Sequence, residues 1–389
     1  MPNYTTEIAI VGGGICGLWL LNLLRDRGYD ANLFEASQLG VGQTLASQGM
    51  IHGGIKYTLG GFTTPASETI ANMPSVWRDC INGTGPINLE GLTVRSDDYF
   101  LFSDGALSSK VTAFFASKSL RGRVTPVAKQ DYPEAFANPR FKGNLYKLQD
   151  LVIDTSALLK ALHGRYANHI FHARVALGPR GKQDQNPVLE LQDGTTVTAN
   201  QVVLCAGEGN RDLITSMPDQ PIRMQTRPLK QVLVKGALPE VYAHAVSLKD
   251  AAKPRLTITT HPMPDGDNVW YLGGNLAEQG VSQTDEALIE NAKLELKQLL
   301  PWINTEQLSY RTLPINRAEP SQDSGNRPDF PYVKAIGPVI TCWPTKLTLT
   351  PMLGDEVLGL LPPPDNRQNS SIQLPLAELA PYPWETAFA

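Results

Sequence analysis

Cysteine is scarce in this sequence, and its few copies form no pattern. Only four cysteines occur among 389 residues, and no two of them have the spacing of a CxxC pair. Scattered single cysteines indicate neither a disulfide framework nor a zinc site. We therefore expect Cys16, Cys80, Cys205 and Cys342 to be buried free thiols.

The chain also lacks an excess of positive charge and any long apolar run. It carries 34 Lys and Arg residues against 38 Asp and Glu residues, a formal net charge of −4. Nucleic-acid-binding proteins usually present a basic face, so that class is set aside. No apolar run approaches the roughly 20 residues of a membrane span, and the N-terminus is polar without a secretory pattern. We expect no transmembrane segment and a cytoplasmic location.

The histidines give no metal-binding pattern. Of the six, His163, His169 and His172 fall close together in the sequence. No carboxylate or cysteine pattern accompanies them, so we expect no metal site.

What the sequence does contain is a strand, helix and strand pattern at its start. Residues 7–11 predict a buried strand, residues 15–27 an apolar helix that ends at Gly28, and residues 31–34 a second strand. Further helices are predicted at 66–81, 107–119, 156–167 and 285–300, and further strands at 92–102, 170–177, 202–204, 230–234, 255–260 and 269–273. The β-rich part between 222 and 317 predicts an antiparallel sheet that covers a substrate cavity.

Gly12, Gly14 and Gly17 form a G-x-G-x-x-G motif between the first strand and the first helix. Gly12 permits the tight turn, Gly14 lets a pyrophosphate approach the backbone, and Gly17 lets helix and strand pack closely. Glu35 ends the second strand, where an acid accepts hydrogen bonds from an adenosine ribose and disfavours NADP. The motif predicts a dinucleotide site and does not separate FAD from NAD.

Four segments, spread along the chain, resemble the D-amino-acid oxidase superfamily of FAD enzymes, which includes glycine and sarcosine oxidases. They are residues 42–57 (GQTLASQGMIHGGIKY), 202–207 (VVLCAG), 270–274 (WYLGG) and 343–354 (WPTKLTLTPMLG). The first is most similar to the glycerol-3-phosphate dehydrogenase and 2-hydroxyglutarate oxidase branches. The resemblance implies that the dinucleotide is FAD.

The resemblance also implies which residues hold the cofactor. The backbone around residues 47–50 would line the flavin ring, Val175 would meet the adenine, and the turn at residues 346–348 would face N1 and C2=O of the ring. Thr350-Pro351 is in addition a typical helix start, whose partial positive charge would stabilise negative charge on the ring. The expected cofactor-binding residues are Gly12, Gly14, Gly17, Glu35, Ser47, Gln48, Gly49, Met50, Val175, Gly207, Lys346, Leu347 and Thr348.

Two cations are candidates for substrate binding and catalysis. Lys346 lies where sarcosine-oxidase relatives carry a lysine near the flavin and the substrate carboxylate; the alternative is a solvated lysine beside a helix start. Arg317 resembles the arginine by which glycine and D-amino-acid oxidases hold a carboxylate in a bidentate fork. The family's short turn after it is replaced here by the longer stretch 321–330, and an ion pair with Glu319 or another acid is the alternative.

His52 is the third catalytic candidate, because the flavin loop would carry it close to the ring as a base or a flavin partner. The alternative is a histidine held by backbone hydrogen bonds. His52 is a weak attachment candidate, so we expect non-covalent FAD. Tyr57, Tyr271 and Trp343 either wall the pocket or belong to the core.

These patterns predict an α/β architecture with a discontinuous Rossmann-type FAD-binding domain and an interleaved α+β substrate domain built on an antiparallel sheet. A chain of 389 residues is too long for one ordinary core. The FAD-binding domain is expected at residues 1–85, 151–220 and 326–389, the last with a C-terminal tail, and the substrate domain at 86–150 and 221–325.

The expected function is that of an FAD-dependent oxidoreductase that transfers hydride from a small amino acid, N-substituted amine or 2-hydroxy acid to flavin N5. The substrate is expected to carry a carboxylate, and the electron acceptor to be oxygen or a quinone. Two alternatives stay open at this point: an NAD-dependent dehydrogenase, and a non-catalytic FAD-binding protein.

Overall fold

A computed structural model describes residues 2–54, 65–103, 124–178, 186–217, 222–246, 254–322, 328–365 and 371–389. The predicted helix 107–119 and Tyr57 lie outside these residues. The strands are β1 Asn3–Val11, β2 Ala31–Glu35, β3 Met50–Ile51, β4 Val94–Ser96, β5 Tyr99–Phe102, β6 Val124–Pro126, β7 Leu145–Leu148, β8 Leu151–Ile153, β9 Ile170–His172, β10 Val175–Leu177, β11 Val188–Leu191, β12 Thr196–Leu204, β13 Met224–Gly236, β14 Ala243–Ala245, β15 Leu256–Pro262, β16 Asn268–Gly273, β17 Ser309–Pro320, β18 Tyr332–Ile336 and β19 Val339–Trp343. The α-helices are α1 Ile15–Asp26, α2 Pro65–Ile81, α3 Thr155–Arg165, α4 Asn210–Thr215, α5 Asn275–Gln279, α6 Asp285–Leu299, α7 Thr350–Leu360 and α8 Pro383–Ala387.

The first large sheet is built on β1 and its parallel neighbours. β1 pairs in parallel with β2 and β12, β2 with β9, and β12 with β19. The side chains of β1 alternate between two buried faces, with Ile8 and Ile10 on one and Ala9 and Val11 on the other. Parallel strands buried on both faces are typical of α/β folds with a covering layer on each side. The predicted Rossmann-type unit is confirmed.

The two covering layers come from distant parts of the chain. Helices α1, α3 and α7 pack Leu18, Leu158 and Leu353 into the core that contains Ile8. The antiparallel pair β10 and β11 contributes Leu189 to the opposite core. β11 pairs antiparallel with β12, so β10 and β11 extend the same sheet, and α4 packs Leu213 and Ile214 against its second face in the core that contains Leu189.

Residues 170–177, predicted as one strand, form two. β9 pairs with β2, whereas β10 pairs with β11. Between them the Ala173 N–H donates to the Glu35 carbonyl at 2.8 Å, which ends the pairing along β2. The apolar residues continue through this break, so the sequence pattern did not reveal it.

The second large sheet has the order β17-β13-β16-β15-β14-β5-β7-β6. Among the described strands its neighbours are antiparallel apart from β14 and β5, which run parallel. Helix α6, capped by the Thr284 hydroxyl on the Ala287 N–H at 3.3 Å, packs Leu288 and Leu296 against this sheet. The predicted sheet is thus confirmed as predominantly antiparallel.

Residues 92–102 were likewise predicted as one strand and form two. β4 pairs with β8 in a small sheet that includes β3, and β5 belongs to the second large sheet. The break is a turn in which the Ser96 hydroxyl donates to the Asp98 carbonyl at 2.6 Å. The turn lets the chain pass from one sheet to the other.

β13 and β17 form a long two-stranded ribbon that belongs to both cores. They pair from Met224 opposite Pro320 to Lys235 opposite Ser309. Met224 and Ala318 pack with the first sheet, and further along Val232 packs in the core of the second sheet. The ribbon connects the two sheets without a loop between them.

The segment 371–389 also crosses from one sheet to the other. The Ala377 N–H donates to the Ile170 carbonyl at 3.0 Å, beside the first sheet. Helix α8 then places Trp384 against Tyr271 of the second sheet, with ring centroids 5.2 Å apart. This segment adds a second connection between the sheets.

Candidate cofactor and substrate site

The glycine turn after β1 has no space for a side chain at two positions. Gly12 has a φ of 113°, and a Cβ there would lie 2.5 Å from the Ala206 Cα. A Cβ on Gly17 would lie 1.9 Å from the Gly12 carbonyl oxygen. Glycine alone permits this turn and this contact between α1 and β1. The close packing expected at these positions is present.

Gly14 differs from these two glycines, because space remains around it. A Cβ there would meet, among the described residues, the Thr44 hydroxyl oxygen at 3.2 Å and nothing nearer. Gly14 is the N-cap of α1 and no side chain caps the helix at this residue; the next N–H, of Ile15, donates to the Thr44 hydroxyl at 3.1 Å. A helix N-terminus with room before it attracts an anion. The space in front of Gly14 fits the pyrophosphate of a dinucleotide.

Glu35 lies beside the same turn. One carboxylate oxygen accepts the Gly13 N–H at 2.6 Å, and the other accepts the Ser37 N–H at 2.8 Å. These bonds hold the acid at the end of β2, next to the glycine motif. Its predicted role as ribose ligand stays a prediction, and Ser37 is a partner that the sequence did not suggest.

Residues 47–53, here called the flavin segment, are fixed by the neighbouring strand β8. The Ile153 N–H donates to the Gly49 carbonyl at 2.9 Å, and Met50 and Ile51 pair with β8. Gly49 has a φ of 68°, and a Cβ there would lie 2.2 Å from the Ile153 carbonyl oxygen. A larger residue would displace the segment from β8.

The flavin segment also touches the second sheet. The Gln48 side-chain amide donates to the Tyr271 carbonyl at 2.9 Å. A Cβ on Gly273 would lie 2.6 Å from the Gln48 side-chain oxygen, so the glycine makes room for this contact. The segment therefore lies between the first sheet and the second, where a cofactor and a substrate can meet.

The terminal turn, residues 344–349, is brought to the flavin segment as expected. The Thr348 hydroxyl donates to the His52 carbonyl at 3.1 Å, and the Trp77 indole N–H donates to the Thr348 carbonyl at 3.1 Å. Thr345 has a φ of 59°, which is strained for a β-branched residue. Such strain concentrates at functional sites. The predicted helix start follows directly, because α7 begins at Thr350.

Lys346 is buried within this turn. Only 5% of the residue is exposed, and its ammonium donates to the Asp329 carbonyl at 3.2 Å. The alternative of a solvated lysine is therefore wrong. A buried ammonium exerts a stronger field on nearby anions than one in water.

Arg317 lies along the neighbouring strand of the ribbon. Its guanidinium donates to the carbonyls of Arg227 at 3.2 Å and Pro228 at 3.4 Å. The partner of the buried Glu319 carboxylate is Arg227, with 2.6 Å between Nε and Oε1. The alternative of a pair between Arg317 and Glu319 is thus wrong, and Arg227, directly opposite Arg317 in the register, was missed.

The other predicted residues are distributed around the site. Val175 is half-buried on β10, opposite Leu191 on β11 of the first large sheet. The Gly207 carbonyl accepts the Trp343 indole N–H at 3.0 Å. Trp343 and Tyr271 are buried among apolar neighbours, as core residues are.

The four cysteines are free and buried, as predicted. Cys16 and Cys342 lie with their sulfurs 3.8 Å apart behind the glycine turn, and burial raises the pKa of the Cys16 thiol.

Within the described part of the chain, no cluster of histidine, cysteine and carboxylate side chains is suited to a metal ion. None of the helices described is both long and apolar enough to cross a membrane.

Asp150 is a buried carboxyl that belongs to no motif in the sequence. Its Oδ1 accepts the N–H of Gly53, at the end of the flavin segment, at 2.8 Å. Burial raises its pKa to about 7, against the opposing effects of the Gly53 hydrogen bond and the Arg78 charge. No motif contains it, because its importance comes only from a contact with a segment almost a hundred residues earlier.

The fold and this site together define a dinucleotide-binding oxidoreductase with a second sheet over the cofactor segment. The profile of the FAD dependent oxidoreductase family matches residues 7–343, and the chain belongs to that family. It is 42% identical over 395 residues to a probable FAD-dependent oxidoreductase of Pseudomonas aeruginosa, with 100% of both chains covered. The crystal structure of that protein superposes with a TM-score of 0.85 at 37% identity, again covering 100% of both chains.

More distant structures share the fold. Glycine oxidase from Geobacillus kaustophilus has a TM-score of 0.63 at 17% identity, covering 92% of this chain and 95% of its own. L-α-glycerophosphate oxidase from Mycoplasma pneumoniae, with FAD bound, has a TM-score of 0.66 at 14% identity, covering 97% of each chain. The family confirms FAD as the cofactor and an enzyme as the class of protein, against the NAD-dependent and non-catalytic alternatives.

Proposed function

We propose that this enzyme oxidises a small carboxylate at a carbon that bears an amine or a hydroxyl group. The observation that carries the proposal is the buried ammonium of Lys346 in the turn whose Thr348 binds His52 of the flavin segment. The low dielectric around a buried cation strengthens its attraction for an anion. A substrate carboxylate at Lys346 would lie beside the segment proposed to line the flavin.

Arg317 is proposed as the second cation. A guanidinium carries five N–H donors in a planar fork, a geometry that suits a bidentate carboxylate. Arg227 carries a second guanidinium on the opposite strand, and its pairing with Glu319 offsets that charge. We propose Arg317 for the incoming anion because it is the arginine that resembles the carboxylate ligand of glycine and D-amino-acid oxidases.

When bound, FAD supplies the acceptor for the hydride. The chain's own residues would hold and orient it: Gly14 and the start of α1 at the pyrophosphate, Glu35 at the ribose, and the flavin segment with the terminal turn at the ring. His52 would take the proton that leaves the substrate amine or hydroxyl. We propose that binding is non-covalent and that oxygen or a quinone finally accepts the electrons.

The chemical class of the substrate is tested by an anaerobic screen. Amino acids, N-methyl amino acids, 2-hydroxy acids, amines without a carboxylate and glycerol phosphate are each mixed with the holoenzyme, and the flavin absorbance is followed. Rapid bleaching by one carboxylate class is the expected result. Bleaching by glycerol phosphate alone, or by amines without a carboxylate, would contradict the proposal.

The two cations are tested by titration with unreactive carboxylates such as acetate and benzoate. In Lys346→Met and Arg317→Met the apparent Kd should rise roughly ten- to a hundredfold, since a charge-assisted hydrogen bond contributes about 1.5 to 3 kcal/mol. Lys293→Met is the control, because Lys293 is a surface lysine paired with Glu290 on α6. Equal affinity in all four proteins would rule out the carboxylate clamp.

A further inference from the structure

Asp150 lies where the chain passes from the second sheet to the flavin segment. It follows β7, which pairs with β5 of the second sheet, and precedes β8, which pairs with Met50 and Ile51. The residue is 3% exposed. The Asp150 carboxyl therefore contacts the flavin segment from the connection between the second large sheet and β8.

The carbonyl oxygen and the N–H of one peptide unit in the flavin segment, the His52–Gly53 peptide, are both hydrogen-bonded, each to a different part of the chain. The carbonyl of His52 accepts the Thr348 hydroxyl at 3.1 Å, and the N–H of the same peptide, on Gly53, donates to Asp150 at 2.8 Å. A peptide is planar, so two bonds at its opposite ends fix the plane. The fixed plane sets the direction in which the His52 side chain leaves the backbone.

The charge on Asp150 is not needed for this hydrogen bond. An asparagine oxygen accepts an N–H equally well and avoids the cost of burying a charge. The nearest described cation, Arg78, donates to the Gln149 carbonyl at 3.0 Å and lowers the pKa of Asp150 less than burial raises it. A carboxylate kept at such a cost is typical of functional sites.

We propose that Asp150 is a positioning residue for the cofactor: it orients the His52–Gly53 peptide, and its negative charge acts on the flavin ring. The proposal rests on the proposed placement of the ring at the flavin segment. It predicts two separable effects, one of geometry and one of charge.

The effect of geometry is tested by reconstituting apoprotein with FAD. Asp150→Ala should bind FAD at least about tenfold more weakly and shift its visible spectrum, whereas Asp150→Asn, which keeps the acceptor, should stay within about threefold of wild type. Asp193→Ala is the matched control, because Asp193 accepts the Thr195 N–H at 2.9 Å in an exposed turn. Wild-type affinity and spectrum in Asp150→Ala would overturn the proposal.

The effect of charge is tested on the holoproteins by measuring the midpoint potential of the flavin between pH 5.5 and 8.5. Wild type and Asp150→Asn should agree at the acid end, and above pH 7 wild type should become lower, because a nearby carboxylate disfavours added electrons. Tyr99 and Arg78 face Asp150, and burial raises the pKa of the Tyr99 hydroxyl well above its ordinary value. Both side chains and His52 are the same in the two proteins, so the comparison isolates the change at residue 150.

A wild-type potential equal to or higher than that of Asp150→Asn throughout the pH range would overturn the proposal, and it would do so even if Asp150→Ala failed to fold. The measurement uses FAD and dyes and no substrate. The two proposals can therefore fail separately. If no carboxylate bleaches the flavin but the midpoint potentials of wild type and Asp150→Asn separate as the pH rises, the proposed reaction is contradicted and the role of Asp150 is supported.

Discussion

Replacement of Gly14 by alanine should separate cofactor binding from folding. The new Cβ would lie 3.2 Å from the Thr44 hydroxyl, a contact that a small shift of the side chain relieves. Alanine is a poorer N-cap than glycine, so the fold should lose about 1 kcal/mol, or about 2 °C in Tm. The methyl group, however, occupies the space in front of the first N–H groups of α1. Loss of two charge-assisted hydrogen bonds to the pyrophosphate would weaken FAD binding roughly 10²- to 10⁴-fold.

Gly17→Ala provides the contrast and Gly164→Ala the control. A Cβ on Gly17 would require α1 and the glycine turn to separate by about 1 Å, and such overpacking typically costs about 1 to 3 kcal/mol. A Cβ on Gly164 would meet nothing within 4 Å. The measurements are thermal unfolding of each apoprotein and FAD titration by flavin fluorescence. Wild-type FAD affinity in Gly14→Ala, or unfolding of that variant as severe as that of Gly17→Ala, would refute the assignment of the pyrophosphate to the space in front of Gly14.

Three further predictions follow from the site. Glu35→Gln should weaken FAD binding about ten- to a hundredfold by removing a charge-assisted hydrogen bond, and unchanged affinity would place the ribose elsewhere. Acid or heat precipitation should release intact FAD into the supernatant, and yellow colour that stays with the pellet would show a covalent link. Asp150→Asn should change the pH dependence of stability. In the folded protein the pKa of Asp150 is raised to about 7 from an ordinary 3.8. The free energy of unfolding of wild type should therefore fall by up to about 4 kcal/mol relative to the variant between pH 4 and pH 7. Urea unfolding at pH 4.5 and pH 8 checks this, and a stability difference that does not change with pH would contradict it.

The nucleotide-binding unit could be predicted because its determinants are local. The glycine motif, the buried strand before it and the helix after it all lie within residues 7–26, and the contact that requires Gly17 is with Gly12, five residues earlier. Helices α2 and α6 were also predicted to within a residue at each end, because their apolar residues recur at helical spacing; α2 continues through Pro74.

The missed features depend on contacts between distant residues. Side-chain alternation shows that residues 92–102 are extended, yet it does not show that two sheets share them. Arg227 forms the ion pair with Glu319 that was the alternative for Arg317, because the register of the ribbon decides which arginine reaches Glu319. Asp150 has no motif around it, and only the fold brings it to Gly53.

The β13–β17 ribbon has a mechanical consequence for how ligands enter. Its strands are hydrogen-bonded continuously from the core of the first large sheet into the core of the second, so it is a rigid element shared by both sheets. A hinge motion of one sheet relative to the other would bend the ribbon or break hydrogen bonds between β13 and β17. Substrate should therefore reach the flavin by movement of surface loops, and the radius of gyration in solution should stay the same when substrate binds.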